Sequence, residues 1–314
     1  MTRLGVGALV LVDNAEVPLV ELTTALRDEH GFADAAPVLA DIRSARRASD
    51  VVARYRPDVV FHAAAYKQLP LVEAHPVEGV ATNVLATKNM VDAARSLGVE
   101  RFVLFSTDKA VQPASILGQT KAVAEWIVMT AGGEPGLCFS AVRLGNVVDS
   151  AGSILPFFRR QIARGGPVTV THAQTTRYLM TSAEAAGLAV VSGAVGDSSG
   201  VLWLNLDPPV RILDLARRLV RAASADIGIA FVGLRPGERL HEQLFSTGDE
   251  IAVTPCERVF RSAAPHVDPA WLNAWLAVLG RHVERASAAG VRAALAEMHG
   301  AAEGELAASG AGVA

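Results

Sequence analysis

The sequence predicts an α/β fold, a doubly wound parallel sheet with a smaller interleaved lobe, and three observations carry that prediction. Short apolar runs alternate with longer helical patterns, as they do in strand–helix–strand units. The runs are continuously hydrophobic, as strands covered on both faces must be. Polar residues gather where these runs end, and open α/β sheets bind their ligands at that edge.

The elements follow in order. Strands are expected over 8–12, 58–64, 101–106 and 140–144, with helices over 16–29, 44–56, 79–97 and 118–131. Gly98 stands where a helix C-cap glycine belongs, just before Val99 and the next strand. After Gly145 the pattern loosens, with Gly, Pro and Ser clustered at 149–156 and 165–167. A short strand is expected at 167–171, a helix at 182–195, and strands at 201–206 and 227–232. Residues 211–224 form an amphipathic pattern with Leu213, Leu215, Ala216, Leu219 and Val220 apolar. Residues 1–146 thus read as a dinucleotide-binding, Rossmann-like domain, and 147–299 as a substrate lobe with segments returning to the sheet. Residues 300–314, rich in Ala, Gly and Glu, read as a flexible tail. No internal repeat is visible.

Composition narrows the function. The 314 residues are 51% hydrophobic, enough for a buried core, and the net charge is −3. That balance argues against a general nucleic-acid binder but not against a local arginine cluster for a diphosphate. Cys138 and Cys256 lie far apart with no metal-ligand spacing, so two free thiols and no metal are expected. No apolar stretch reaches the roughly 18 residues of a membrane span, and residues 1–14 lack the pattern of a signal peptide. A cytoplasmic protein is the expectation.

The first half carries the signs of a cofactor site. Asp13, followed by Asn14, ends the first strand, where an acidic residue accepts hydrogen bonds from the adenosine ribose of a dinucleotide. It would repel a 2′-phosphate, which predicts NAD over NADP. The competing reading is an ordinary helix N-cap. Asp41 and Ile42 fit an adenine contact, and Ala63, Ala64 and Ala65 let the backbone approach a pyrophosphate or ribose closely. The glycine-rich phosphate turn of such folds must follow a strand, whereas Gly5-x-Gly7 precedes one. The first strand of the chain therefore corresponds to the second of the full fold, and that turn is not expected within these residues.

The chemistry is expected one strand further on. The run RFVLFS delivers Ser106, expected at the cofactor, and then Thr107, Asp108 and Lys109 at its carboxyl end, where an acid beside a base suits proton transfer. Lys121, twelve residues on and one turn into a helix, is placed to reach a nicotinamide ribose. A surface ion pair and an exposed helix lysine are the plain alternatives.

The stretch DVVFHAAAYKQLPLVEAHPVEGVATNVLATKNMVDAARSLGVERFVLFSTDKAVQP resembles the CapD-like polysaccharide-biosynthesis family of extended short-chain dehydrogenase/reductases. The resemblance runs on through VRLGNVVDSAGSILPFFRRQIARGGPVTVTHAQTTRYLMT and GLRPGERLHEQL to TPCERVFR, covering roughly 8–262. Characterised members are UDP-N-acetylglucosamine 4,6-dehydratases, so the resemblance implies NAD, a UDP-sugar substrate and a homo-oligomer. It implies that Thr107 helps remove the C4 hydroxyl proton, that Asp108 protonates the departing C6 hydroxyl, and that Lys109 is the base at C5. Lys121 matches the lysine of the superfamily's Tyr-x-x-x-Lys pair, with Leu117 in place of the tyrosine. Among substrate contacts it implies Lys67 facing the sugar and Asn146 touching the substrate, with Arg177 and Arg235 at the diphosphate, where a planar guanidinium suits phosphate oxygens, and Glu238 near the uridine ribose or holding Arg235. Asn83 in TNVLAT is expected beside the cofactor or inside its helix. A nucleotide-sugar epimerase of the same family, and a catalytically inactive homologue without the glycine turn, are the alternatives.

Overall fold

The structure is a computed structural model that describes residues 4–132, 136–150, 152–194, 200–224, 226–246, 249–262 and 267–310, with side chains to residue 302. In chain order, β1 (Leu9–Asp13), α1 (Glu16–Asp28), β2 (Ala35–Leu39), α2 (Ala45–Tyr55) and β3 (Val59–His62) open the fold. Then come α3 (Leu69–Ala74), α4 (Pro76–Val80), a π-helical turn (Ala81–Leu85) and α5 (Ala86–Ser96). Next are β4 (Arg101–Thr107), a 3₁₀ turn (Asp108–Ala110), α6 (Ile116–Ala131), β5 (Cys138–Leu144) and β6 (Asn146–Val147). The second half holds α7 (Ile154–Ala163), β7 (Val168–Val170), β8 (Thr176–Arg177), β9 (Leu179–Met180), α8 (Ser182–Ala194), β10 (Gly200–Leu204), β11 (Val210–Arg211) and α9 (Ile212–Ala222). It closes with β12 (Ile229–Phe231), β13 (Ile251–Val253), β14 (Val259–Ser262), α10 (Pro269–Glu284) and α11 (Ala288–Gly310).

The main sheet has six strands in the order β13-β14-β10-β5-β4-β3. Strands β3, β4, β5 and β10 run parallel, and β14 pairs antiparallel to β10. Strands β1 and β2 form a separate parallel pair, so β1 and β3 are each hydrogen-bonded on one side only. The predicted α/β class therefore holds, with the parallel strands divided between two sheets.

Residue alternation covers both faces of the main sheet. Phe102 and Leu104 of β4 and Phe139 and Ala141 of β5 pack with α2, α5, α6, α10 and α11. Val103 and Val142 point the other way, against Leu188 of α8 and Leu202 of β10. Strands buried on both sides cannot alternate polar with apolar, which is why the runs are continuous. A separate small core joins Phe158 of α7, Val168 and Val170 of β7, and Ile212 and Ala216 of α9.

Several expectations are corrected. The helix predicted over 79–97 is α4, the π turn and α5 in succession. Strand β2 was not foreseen, because Pro37 stands in its middle; β2 is an edge strand, where a missing N–H costs no ladder bond. Helices α7, α10 and α11 were not foreseen either. The stretch 300–310, expected as a loose tail, is helical and continues α11, in keeping with the high helix propensity of alanine. Residue 195 of the predicted helix end and 311–314 of the predicted tail lie outside the described residues. Among the described residues, no helix is long and apolar enough to cross a membrane.

Candidate active site

Strand β4 ends at Thr107 and turns directly into the 3₁₀ turn, so three polar side chains meet at one sheet edge. The Thr107 hydroxyl donates to Asp108 Oδ1 at 2.9 Å, and Lys109 Nζ donates to the same oxygen at 2.8 Å. Asp108 is wholly buried, yet its second oxygen, Oδ2, has no partner. A buried carboxylate oxygen left bare is costly and marks a place where a ligand's donor belongs. Helix α6 starts against this turn. A Cβ on Gly118 would lie 2.3 Å from the Lys109 carbonyl oxygen, so only glycine lets the helix come this close.

Lys121 is buried and donates to the Phe105 carbonyl at 2.6 Å, which brings its amine to the end of β4. Burial lowers its pKa to about 8, against the opposing pull of Glu125. The surface-lysine reading is thereby excluded. Leu117, one turn earlier, is buried and carries no proton. Ser106, expected at the cofactor, turns inward and donates to Glu125 Oε1 at 2.5 Å. Glu125 in turn receives Arg143 through Nε at 3.1 Å and Nη2 at 2.7 Å. This buried network braces β4 against β5 immediately behind Thr107.

On the expected cofactor side, Asp13 and Asn14 are exposed at the end of β1. Asp13 Oδ1 accepts from the Ala15 amide at 2.8 Å, a local turn bond that leaves its other oxygen open; α1 itself has no side-chain cap. Asp41 is held in a fork by Arg43, whose Nε and Nη2 approach at 2.9 and 2.7 Å, and that hydrogen bonding lowers its pKa. The Ile42 carbonyl accepts from Asn89. Ala63 and Ala64 are exposed and Ala65 half-buried just past β3, as a close backbone approach requires. Asn83 is fully buried in the π turn. It accepts from the Tyr66 amide and donates to the Tyr66 carbonyl and Thr120 Oγ1, so it fixes the loop after β3 and its polar atoms are spent inside the protein.

The substrate residues divide. Lys67 is exposed, with Nζ 3.4 Å from Ser150 Oγ. Asn146 follows β5, the neighbour of β4, and its side-chain oxygen is buried without a partner. Arg177 is buried: Nη2 donates to Glu238 Oε1 at 2.9 Å, and Nη1 donates to the Thr176 and Leu240 carbonyls. Arg235 is exposed and meets Glu238 through its backbone: its amide donates to Glu238 Oε2 and its carbonyl accepts from the Glu238 amide.

Two further residues join the site unforeseen. Glu242 is buried with Oε1 3.9 Å from Lys109 Nζ, and burial raises its pKa. Arg239 donates to the Val111 and Gln112 carbonyls, tying its segment to the loop beyond the triplet. Both lie within GERLHEQL, but nothing in their spacing shows which charge turns inward.

Residues 1–264 match the family described as polysaccharide biosynthesis protein. The capsular polysaccharide biosynthesis protein CapD of Staphylococcus aureus is 42% identical over 234 residues, 73% of this chain and 39% of that protein. A UDP-glucose 4-epimerase of Rickettsia typhi is 36% identical over 216 residues, 67% of this chain and 62% of that protein. The chain thus spans less than two thirds of the length of either relative. The solved structure of Pen from Bacillus thuringiensis is 27% identical, with a TM-score of 0.76 over 82% of this chain and 80% of that one. Matched over residues 1–264 and 42% identical to CapD over 73% of its length, the chain belongs to the polysaccharide biosynthesis protein family.

Proposed function

We propose that the protein catalyses the NAD-dependent 4,6-dehydration of a UDP-N-acetylhexosamine, converting UDP-N-acetylglucosamine into a UDP-4-keto-6-deoxy sugar. One observation carries the reading: Thr107 and Lys109 both bond one oxygen of a buried carboxylate whose other oxygen is bare. A buried acid flanked by a hydroxyl and an amine is what a reaction with separate proton removals and a protonated leaving group needs.

The residues present fit a dinucleotide. The open oxygen of Asp13 suits ribose hydroxyls and disfavours a 2′-phosphate, the small side chains after β3 admit close contact, and Lys121 is fixed near the end of β4. Bound NAD supplies the acceptor for a hydride from sugar C4 and its return at C6. Thr107 relays the C4 hydroxyl proton to Asp108. Lys109 takes the C5 proton, made acidic by the adjacent ketone. Asp108 gives its proton to the departing C6 hydroxyl, which leaves as water. Arg235, free of side-chain partners among the described residues, binds the diphosphate. Arg177 holds Glu238, which presents its carboxylate to the ribose, so its role is support rather than phosphate contact.

The test is incubation with UDP-N-acetylglucosamine and NAD in deuterated water. Dehydration places one solvent deuteron at C5 and none in the hydride delivered to C6. A 4-epimerised sugar with its C6 hydroxyl retained would establish the second reading, epimerisation, which the identity to the Rickettsia epimerase favours.

A further inference from the structure

The dehydration proposed above leaves one proton without a carrier. In the resting site Lys109 stands 2.8 Å from buried Asp108, an ammonium beside a carboxylate. Oxidation at C4 frees the hydroxyl proton, and Thr107 passes it to Asp108, the group its hydroxyl touches. Asp108 is then the acid for the C6 hydroxyl and cannot also accept the proton of Lys109. Lys109 must lose that proton before it can attack C5, and solvent has little access: its side chain is 19% exposed and that of Asp108 0%.

We infer that Glu242 is a positioning residue that acts through Lys109, accepting its proton before the C5 step and returning it afterwards. Its carboxyl is the second carboxylate beside Lys109 Nζ, 3.9 Å away, with a side chain 3% exposed. That gap is one the contacts of a bound substrate can close. The charges that face Glu242 are Lys109, Asp108, Arg177 and Arg239. Arg177 is already committed to Glu238 and Arg239 to backbone carbonyls, which leaves Lys109 as its exchange partner. The segment bearing Glu242 is anchored nearby, since Arg143 donates to the Leu244 carbonyl at 3.2 Å from within the buried Glu125 network.

The protons then balance. One moves from the C4 hydroxyl through Thr107 to Asp108, and one from Lys109 to Glu242. The C5–H bond breaks towards the Lys109 amine, the C6–O bond breaks with the Asp108 proton, and water leaves. With bound NAD, C6 would receive the hydride released at C4, and Lys109 hands its proton to C5. Glu242 finally recharges Lys109, so no proton is gained or lost from the site.

The inference rests on the dehydratase reading, and Glu242→Gln tests it because the amide keeps the shape but cannot accept a proton. In single turnovers with UDP-N-acetylglucosamine, the variant should still show the 340 nm absorbance of C4 oxidation. Exchange of solvent deuterium into C5, and with it kcat, should fall about 100-fold at little-changed KM. Glu242→Asp should recover part of the exchange. Exchange at the wild-type rate in Glu242→Gln, or oxidation and exchange falling together, would overturn the proton-acceptor role. If the wild-type protein gives no 4-keto sugar at all, the dehydratase reading fails separately. Glu242 is then judged in the free protein by the infrared difference between the wild type and Glu242→Gln: the Glu242 carboxylate band should shift in Lys109→Met, and an unmoved band would overturn the inference.

Discussion

Asp108 carries two hydrogen bonds on one oxygen and none on the other, within a fully buried side chain. Asp108→Asn keeps the volume and removes the acid. Turnover of UDP-N-acetylglucosamine should fall by about 10²–10⁴-fold, the usual worth of a general acid, with UDP affinity unchanged by calorimetry. The two arginines should separate in the opposite sense. Arg235→Ala should weaken UDP binding about tenfold or more and leave the urea midpoint in place. Arg177→Ala leaves Glu238 without its buried partner and should lower unfolding stability by about 3 kcal/mol. Equal losses of binding in both variants would show that Arg177 touches phosphate after all. A reader of TTRYLM and LRPGE sees two arginines of the same kind; only burial and the Glu238 contact tell them apart.

At the scale of elements, the site depends on how closely α6 approaches the 3₁₀ turn. Ser115 caps the helix by accepting from the Gly118 amide at 3.0 Å, and Gly118 presses on the Lys109 carbonyl. Gly118→Ala raises intrinsic helix propensity by about 1 kcal/mol, yet it should destabilise the protein by about 1–3 kcal/mol through overpacking and displace Lys109. A rise in melting temperature with full activity would show that the turn can give way. The strand-end residues of this region were legible because a parallel strand presents its carboxyl end to the ligand, so RFVLFS locates Thr107, Asp108 and Lys109 without any coordinates. The π turn was not legible. Nothing in the pattern of TNVLAT distinguishes five residues of wider helix from the regular kind; the bonds of Asn83 to Tyr66 and Thr120 select it.

For the molecule as a whole, buried bases set the response to pH. Burial lowers His62 to about 3 and His299 to about 4, both from 6.5, while the unfolded chain keeps the ordinary value. Between those limits the unfolded state binds more protons than the folded one, so stability falls as pH drops, by up to about 1.4 kcal/mol per pH unit for each histidine. Lys121 works in a higher window: with a folded pKa of about 8 against 10.5, it makes stability rise with pH between those values. Urea titrations from pH 6.5 to 4.5 should show the acid slope, and His62→Gln, which can still meet Thr87, should remove much of it. An unchanged slope in that variant would show that His62 is charged in the fold. The same burial explains what the chain could reveal about itself. Continuous apolar runs and polar residues at their ends determined the α/β class, the strand that ends at the proposed site and the Thr107–Asp108–Lys109 set, because these depend on local periodicity and on which end of a strand is open. The division of parallel strands between two sheets, the C-terminal helices on the core, the inward turn of Ser106 and the meeting of Glu242 with Lys109 were decided only by the tertiary structure. Each depends on contacts between residues far apart in the chain, and such contacts leave no periodicity to read.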